Sequence, residues 1–169
     1  MLIKCLSVLD LGTFRELRKS GQRYPKLTIV IRNPDLVLAL YLESLLLPLK
    51  ELDVIWNQNM VAHIIKDFRE IMFRVVKKSK ENGIKFRAVV EMDKGNTTFL
   101  KSMNYFEIRQ LDSIKENLQI TDNKICVKPL FDQDDEHFSQ ILWSNSEELV
   151  NQKKGLFENL WKVAIPIST

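Results

Sequence analysis

Histidine is nearly missing from this chain of 169 residues: there are only 2, His63 and His137. Any reaction needing two imidazoles at one point must use both or borrow one from another chain. Glycine is almost as scarce, with 5 residues, and no glycine-rich run is present to cradle a phosphate. The 2 cysteines, Cys5 and Cys126, stand far apart without metal-ligand spacing. They point to a reduced, cytoplasmic setting, although two thiols can in principle pair. A single histidine makes no metal site, and we expect no cofactor. Charge of one sign is also in short supply. A net charge of +3 gives no concentrated basic face, which makes nucleic acid an unlikely partner. The most apolar run, "LVLALYLESLLLPL" (36–49), is broken by Glu43 and Pro48. It falls short of the roughly 20 apolar residues a membrane span needs, so we read a buried helix and no membrane insertion. The N-terminus lacks the layout of a signal peptide.

What is present is 45% hydrophobic and 28% charged, enough to build a real core. Residues 1–26 form a poorly defined basic segment, with a short helix expected from Thr13 to Gly21 and Pro25. Its Arg15, Arg18, Lys19, Arg23 and Lys26 read as a solvated linker or peripheral helix, with contact to nucleic acid or an acidic partner as the other reading. Residues 27–169 form one domain. "KLTIVI" is a strand, and Asn33-Pro34 opens the apolar helix with a cap and an N1 proline. "LDVIWN" is a strand, and Asp67 is expected to cap a helix carrying Phe68, Ile71, Met72, Val75 and Val76 inward, closed by Gly83. "IKFRAVVEM" and "EIRQLD" are strands around a short helix, "NTTFLKSMNYF". "NLQIT-DN-KICVK" is a hairpin on a two-residue Asp-Asn turn, "FDQDDEH" an acidic loop and "QILWSN" a strand. A long helix from 146 to about 164 closes the domain, with Ser144 and Glu147 spaced as a capping box. Strands alternating with helices, followed by a hairpin, predict an α/β fold: a mixed β-sheet flanked by helices. Trp143, Phe157 and Trp161 are assigned to the core.

The stretches "GIKFRAVVEMDKGN" (83–96), "EIRQLDSIKENLQITDNK" (107–124) and "ILWSNSEELVNQKKGLFENLWKVAIP" (141–166) carry a resemblance. Together they resemble half of a phospholipase-D-like domain, and in detail the phospholipase-D-like sensor domains of archaeal signal-transduction proteins. The last stretch is the most specific. It matches in Ser144-Asn145, Glu148, Val150, Gln152, Leu156-Phe157, Leu160-Trp161 and Ala164-Ile165-Pro166. The resemblance covers about 52–166.

The phospholipase D reaction, as the resemblance implies it, uses a nucleophilic histidine, a second histidine as acid and the motif His-x-Lys-x4-Asp. Aligned on Lys115, this chain has Ser113 in the histidine position, and Asp122 lies two residues too far on. The branch's histidine before Asp112 is Gln110, and the glycines common in it are Glu116 and Gln119. We therefore expect no catalytic set and no enzyme.

His63 follows the "LDVIWN" strand at an edge where α/β sheets place ligands, with Lys66 and Asp67 behind it. It reads as a structural or ligand-contact residue; His137 reads as a solvated one. Arg109, Asp112, Lys115 and Asn117 form a polar series after a strand. With His63, Glu91, Asn96 and Asn145 they are the candidate ligand-binding residues. The opposing reading is that these groups satisfy each other and nearby backbone. Arg109 and Lys115 donate only, so a small anionic or polar ligand is expected. The function expected is a non-catalytic sensor or partner-binding domain in archaeal signal transduction, coupled to a histidine kinase or another output module. The alternatives are a divergent phosphodiesterase or nuclease with a composite site across a dimer, or the effector domain of a DNA-binding regulator. The all-round apolar helix 34–49 suggests a homodimer through that element.

Overall fold

The computed structural model describes residues 26–46, 48–131 and 138–167. Cys5, the basic segment before Lys26, the acidic loop 132–137 and His137 lie outside them.

Three hydrophobic strands, β2 (Glu51–Trp56), β3 (Lys85–Val90) and β4 (Glu107–Gln110), run parallel in the middle of the sheet. Their near-continuous apolar sequence follows from burial on both faces. Leu52, Val54 and Trp56 enter one core, while Asp53 and Ile55 face the other. The crossover between β2 and β3 is made by α2 (Gln58–Asp67) and α3 (Arg69–Asn82), and that between β3 and β4 by α4 (Thr97–Ser102). β5 (Leu118–Thr121), β6 (Ile125–Phe131), β7 (Phe138–Ser144) and β1 (Thr28–Ile31) extend the sheet antiparallel on one side. β8 (Ile165–Pro166) closes the other side against β4, giving the order β1-β7-β6-β5-β2-β3-β4-β8. This is the mixed α/β sheet expected from the sequence.

Helix α1 (Pro34–Leu46) packs with α2 and α3 on the larger core, against Ile29, Val54, Phe86 and Ile141 among others. Among the described residues, helix α5 (Glu147–Val163) is the one helix on the other face, over Ile55, Val89, Leu118, Ile120 and Cys126. Its inward residues are those that helical spacing selects: Leu149, Val150, Leu156, Phe157, Leu160, Trp161 and Ala164. Trp143 packs instead on the α1 side, because its neighbour Ser144 takes the opposite face of β7 and strand residues alternate.

Three local expectations change. Asp67 does not cap the helix that follows. It is the last residue of an unforeseen helix, α2, whose N-cap is Asn57 accepting from the Met60 N–H at 2.9 Å. The helix that was expected, closed by Gly83, is present as α3, and α2 precedes it, the two meeting at Phe68. The capping box at 144–147 does not form. Ser144 stays in β7, exchanging a hydrogen bond with the Thr28 hydroxyl at 2.7 Å, and Ser146 is the N-cap without a side-chain bond. The hairpin turn does form, with Asp122 at φ 52° and Asn123 at φ 53°, values that Asx residues tolerate. Gly83 ends α3 at φ 65°, as its position predicted.

Candidate functional site

The ends of β2, β3 and β4 lie side by side, and the loops leaving them are tied together by polar side chains. Glu91, just past β3, spends both oxygens on backbone: Oε2 accepts from Gln58 N–H at 2.6 Å and Oε1 from Ile114 N–H at 2.7 Å. The second bond holds the turn in which Ser113 takes a left-handed φ of 59°. Buried Asn117 accepts from Asn57 N–H at 2.8 Å, which joins the start of β5 to the end of β2. Buried Asn96 accepts from Asp93 N–H at 2.9 Å and donates to the Glu91 carbonyl at 3.1 Å. Asp93 accepts from Asn96 and Gly95 backbone and from Gln58 Nε2, and these donors hold its carboxyl below the usual range.

The other candidates are dispersed. Arg109 points to the α5 face, donating to the Trp161 carbonyl at 2.8 Å and lying 4.3 Å from that indole ring. Asp112 and Lys115 are exposed. Asn145 pairs with Leu27 backbone at the far side of the sheet, accepting at 2.7 Å. His63 is buried in α2, its Nδ1 2.8 Å from an Asp67 oxygen and its ring edge-on to Phe68. The structure therefore gathers Glu91, Asn96 and Asn117 at one edge and leaves Arg109, Asn145 and His63 elsewhere.

Beside that edge opens a shallow cleft of about 530 Å³, which the sequence reading did not identify. Met92 and Lys94 from the loop after β3, Lys101 of α4 and Gln110 of β4 line it, and Pro166 and Ile167 form its far wall. The signal was available in "MDKGNTTFLK", but β8 had to be in place before that wall existed.

Asp122, the last residue of the motif, lies at the opposite edge. Its Oδ1 accepts backbone N–H groups of Lys50 at 2.8 Å and Glu51 at 3.0 Å, and both oxygens meet Leu49 N–H. The four residues of β5 separate it from Asn117. Aligned on Asp122 instead of Lys115, the His-x-Lys-x4-Asp motif would need histidine at Lys115 and lysine at Asn117, so it is incomplete in either alignment.

Beneath α5 lies a second polar cluster, invisible in the one-dimensional pattern. Arg87 of β3 holds Asp53 of β2 through Nε at 2.8 Å and Nη2 at 2.9 Å, and reaches Glu158 of α5 at 2.7 Å. Lys154 also bonds Asp53. Burial works against the charge of Arg87, yet Asp53 and Glu158 outweigh it and raise its pKa above the ordinary value. The guanidinium also lies 4.7 Å from the Phe157 ring. Nearby, Glu116 pairs with Lys128 and Lys153. Its burial opposes ionisation, but the two ammonium groups hold its pKa below the usual one. Burial pushes the Cys126 thiol up to about 11. Among the described residues no cluster of three or more His, Cys, Asp or Glu is arranged to hold a metal, and no helix is long and apolar enough to cross a membrane.

No protein-family model matches the sequence, and no curated protein matches it. Solved structures do share its fold. Nuc from Salmonella typhimurium, a phospholipase D family member, aligns over 86% of this chain and 100% of its own at 15% identity and a TM-score of 0.64. NucT from Helicobacter pylori aligns over 85% and 100% at 11% identity and a TM-score of 0.65. TrmBL2, an archaeal chromatin protein with a novel mode of DNA binding, covers 93% of this chain at 17% identity and a TM-score of 0.61. This chain spans 59% of that protein's length. The phospholipase-D-like α/β fold is thus established, at identities that speak for fold alone.

Two expectations are corrected here. That the chain is not an enzyme does not stand, because a phospholipase D family member uses this fold as its entire chain. The missing His-x-Lys pair removes one mechanism and not every one. That nucleic acid is an unlikely partner is also overturned as an argument from charge, because a DNA-binding chromatin protein carries the same fold.

Proposed function

We propose that this chain is a sensing domain of an archaeal signal-transduction protein, in which a small ligand or partner is read out through α5. One observation carries the reading: the wall of the strand-end cleft is the segment that immediately follows α5. Ile165 and Pro166 pair with Gln110 and Arg109, and Ile167 N–H donates to the Ile108 carbonyl at 3.1 Å. An occupant of the cleft touches this segment directly, so any preference for one position of β8 biases α5 as well. The resemblance at 141–166 supports the same reading, since it covers the helix and this wall. The output is a histidine kinase or similar module, and the domain pairs through residues 34–49. A panel of small polar and anionic metabolites tests it by thermal shift, followed by amide exchange. A compound that raises the melting temperature should alter exchange across 147–163. If no compound binds, or if binding leaves that helix unchanged, the sensing role is wrong.

The full-length overlap with Nuc favours a second reading, a divergent phosphodiesterase with a composite site across a dimer. His63, oriented by Asp67, would supply one imidazole per chain. Turnover of bis(p-nitrophenyl) phosphate by the wild type, abolished in His63→Ala, would establish it. The likeness to TrmBL2 supports an effector domain of a DNA-associated regulator, for which DNA binding should weaken steeply with salt.

A further inference from the structure

The geometry points to the cleft beyond β3 and β4 as a site for a small molecule that joins a phosphate or carboxylate to an apolar body. This rests on the sensing role and gives its ligand a chemical class. The anion is called for by Lys94 and Lys101, which line the cleft from two different elements. Neither makes an ion pair or a side-chain hydrogen bond among the described residues, so both ammonium groups are open to a ligand. An anion seated in the cleft would be attracted by both ammonium groups at once.

Asp93 also lines the cleft, but it does not fill this role. Its Oδ1 accepts two backbone N–H groups, from Gly95 at 2.7 Å and Asn96 at 2.8 Å, and its Oδ2 accepts from Gln58 at 2.7 Å. The carboxylate is committed to these three donors and pairs with neither lysine. Thr97 is committed likewise, donating from Oγ1 to the Asp93 carbonyl at 2.5 Å. The free donor that remains is the Gln110 amide, whose single contact, to Asp112, is long at 3.5 Å.

The apolar half of the ligand follows from the other wall. Met92, Pro166 and Ile167 present a thioether, a pyrrolidine ring and a branched side chain with no polar atoms to satisfy. A bare anion leaves this wall wet, and a neutral hydrocarbon leaves the ammonium groups unpaired. The site therefore selects for both features in one molecule. Its volume of about 530 Å³ lies within the usual range for small-molecule sites, roughly 300–1,000 Å³.

Phenyl phosphate is a suitable probe, with inorganic phosphate and phenol as its two halves. In amide NMR titrations at low salt, phenyl phosphate should shift Met92, Gln110 and Ile167 saturably. Each half alone should bind about tenfold more weakly or worse. The double variant Lys94→Gln, Lys101→Gln changes only exposed side chains and should keep the wild-type fold and lose the response. Absence of saturable shifts at these amides would overturn the site. So would shifts that persist in the double variant, or phosphate binding as tightly as phenyl phosphate. Saturable cleft shifts with no change in amide exchange of 147–163 would keep the site and reject the sensing role.

Discussion

Arg87 shows how much one side chain can hold. It lies at 8% exposure between a carboxylate of the neighbouring strand and one of α5, with two aromatic rings against its guanidinium. A planar fork with five donors suits this place, and a lysine would satisfy only part of it. Removing one member of a buried charge pair strands the other. Arg87→Met should therefore cost about 3 kcal/mol or more, read as a lowered denaturation midpoint. Lys154 also contacts Asp53, which keeps the loss from being larger. Asp53→Leu together with Arg87→Met should recover part of the loss, since no carboxylate then remains buried in the sheet. If the single variant unfolds at the wild-type denaturant concentration, the network does not hold the domain.

At the scale of the element, α5 is attached by aromatic burial at its centre and by charges on either side. Phe157 is fully buried, so Phe157→Ala should cost about 3–5 kcal/mol. Trp161 is only half-buried, stacked 5.6 Å from Phe157, and Trp161→Ala should cost less. Urea titration of both variants gives the order directly. The charges also set the helix register. Lys154, Glu158 and Lys162 follow at four-residue steps, so a slip of one turn would bring a lysine against Arg87. We therefore expect α5 to respond by tilting and not by ratcheting. Acid should loosen it. Glu158, through Arg87, and Glu116, through Lys128 and Lys153, have folded pKa values below their unfolded ones. Such groups contribute stability above the unfolded carboxyl pKa, about 4.3, and lose it as pH falls through the folded values. Stability should decline below about pH 4, and less steeply in the Glu116→Gln, Glu158→Gln variant. Parallel pH profiles for the two proteins would show that these pairs do not govern the decline.

For the whole molecule the open question is the outer face of α1. Val37, Leu40, Tyr41 and Leu45 are buried in the core, yet Leu38 remains 40% exposed and Leu36, Leu42 and Leu46 are only partly covered. Phe73 of α3 is also exposed. A helix in a layered domain needs a single apolar stripe, and this one has nearly two. If a second copy covers it, solution mass should rise with concentration for the wild type. It should stay at one chain for Leu38→Glu, Leu42→Glu with the fold retained. A wild type that remains a monomer at high concentration would rule out pairing through residues 34–49.

Much of the fold was determined by the sequence alone. The strands around Val54, Val89 and Val127, the caps at Asn33 and Gly83, the Asp-Asn hairpin and the inward face of α5 all follow from local propensity and periodicity. These are short-range effects, in which neighbouring residues carry most of the information. The start of α3 was placed within two residues, but α2 before it was not seen, because its ten residues follow a strand directly and Asn57 as its cap shows only in the fold. The candidate site was legible only as residue types. Glu91, Asn96 and Asn117 do meet at the strand ends, but a polar side chain there either faces a ligand or binds loop backbone, and only packing decides which. The ionic cluster around Arg87 required β2, β3 and α5 together, across 105 residues from Asp53 to Glu158. The cleft required β8 to close against β4, because Lys94 and Pro166 become neighbours only when the end of the chain returns to the sheet. Sequence spacing encodes periodicity along an element; which elements share an edge is settled by burying their apolar faces together.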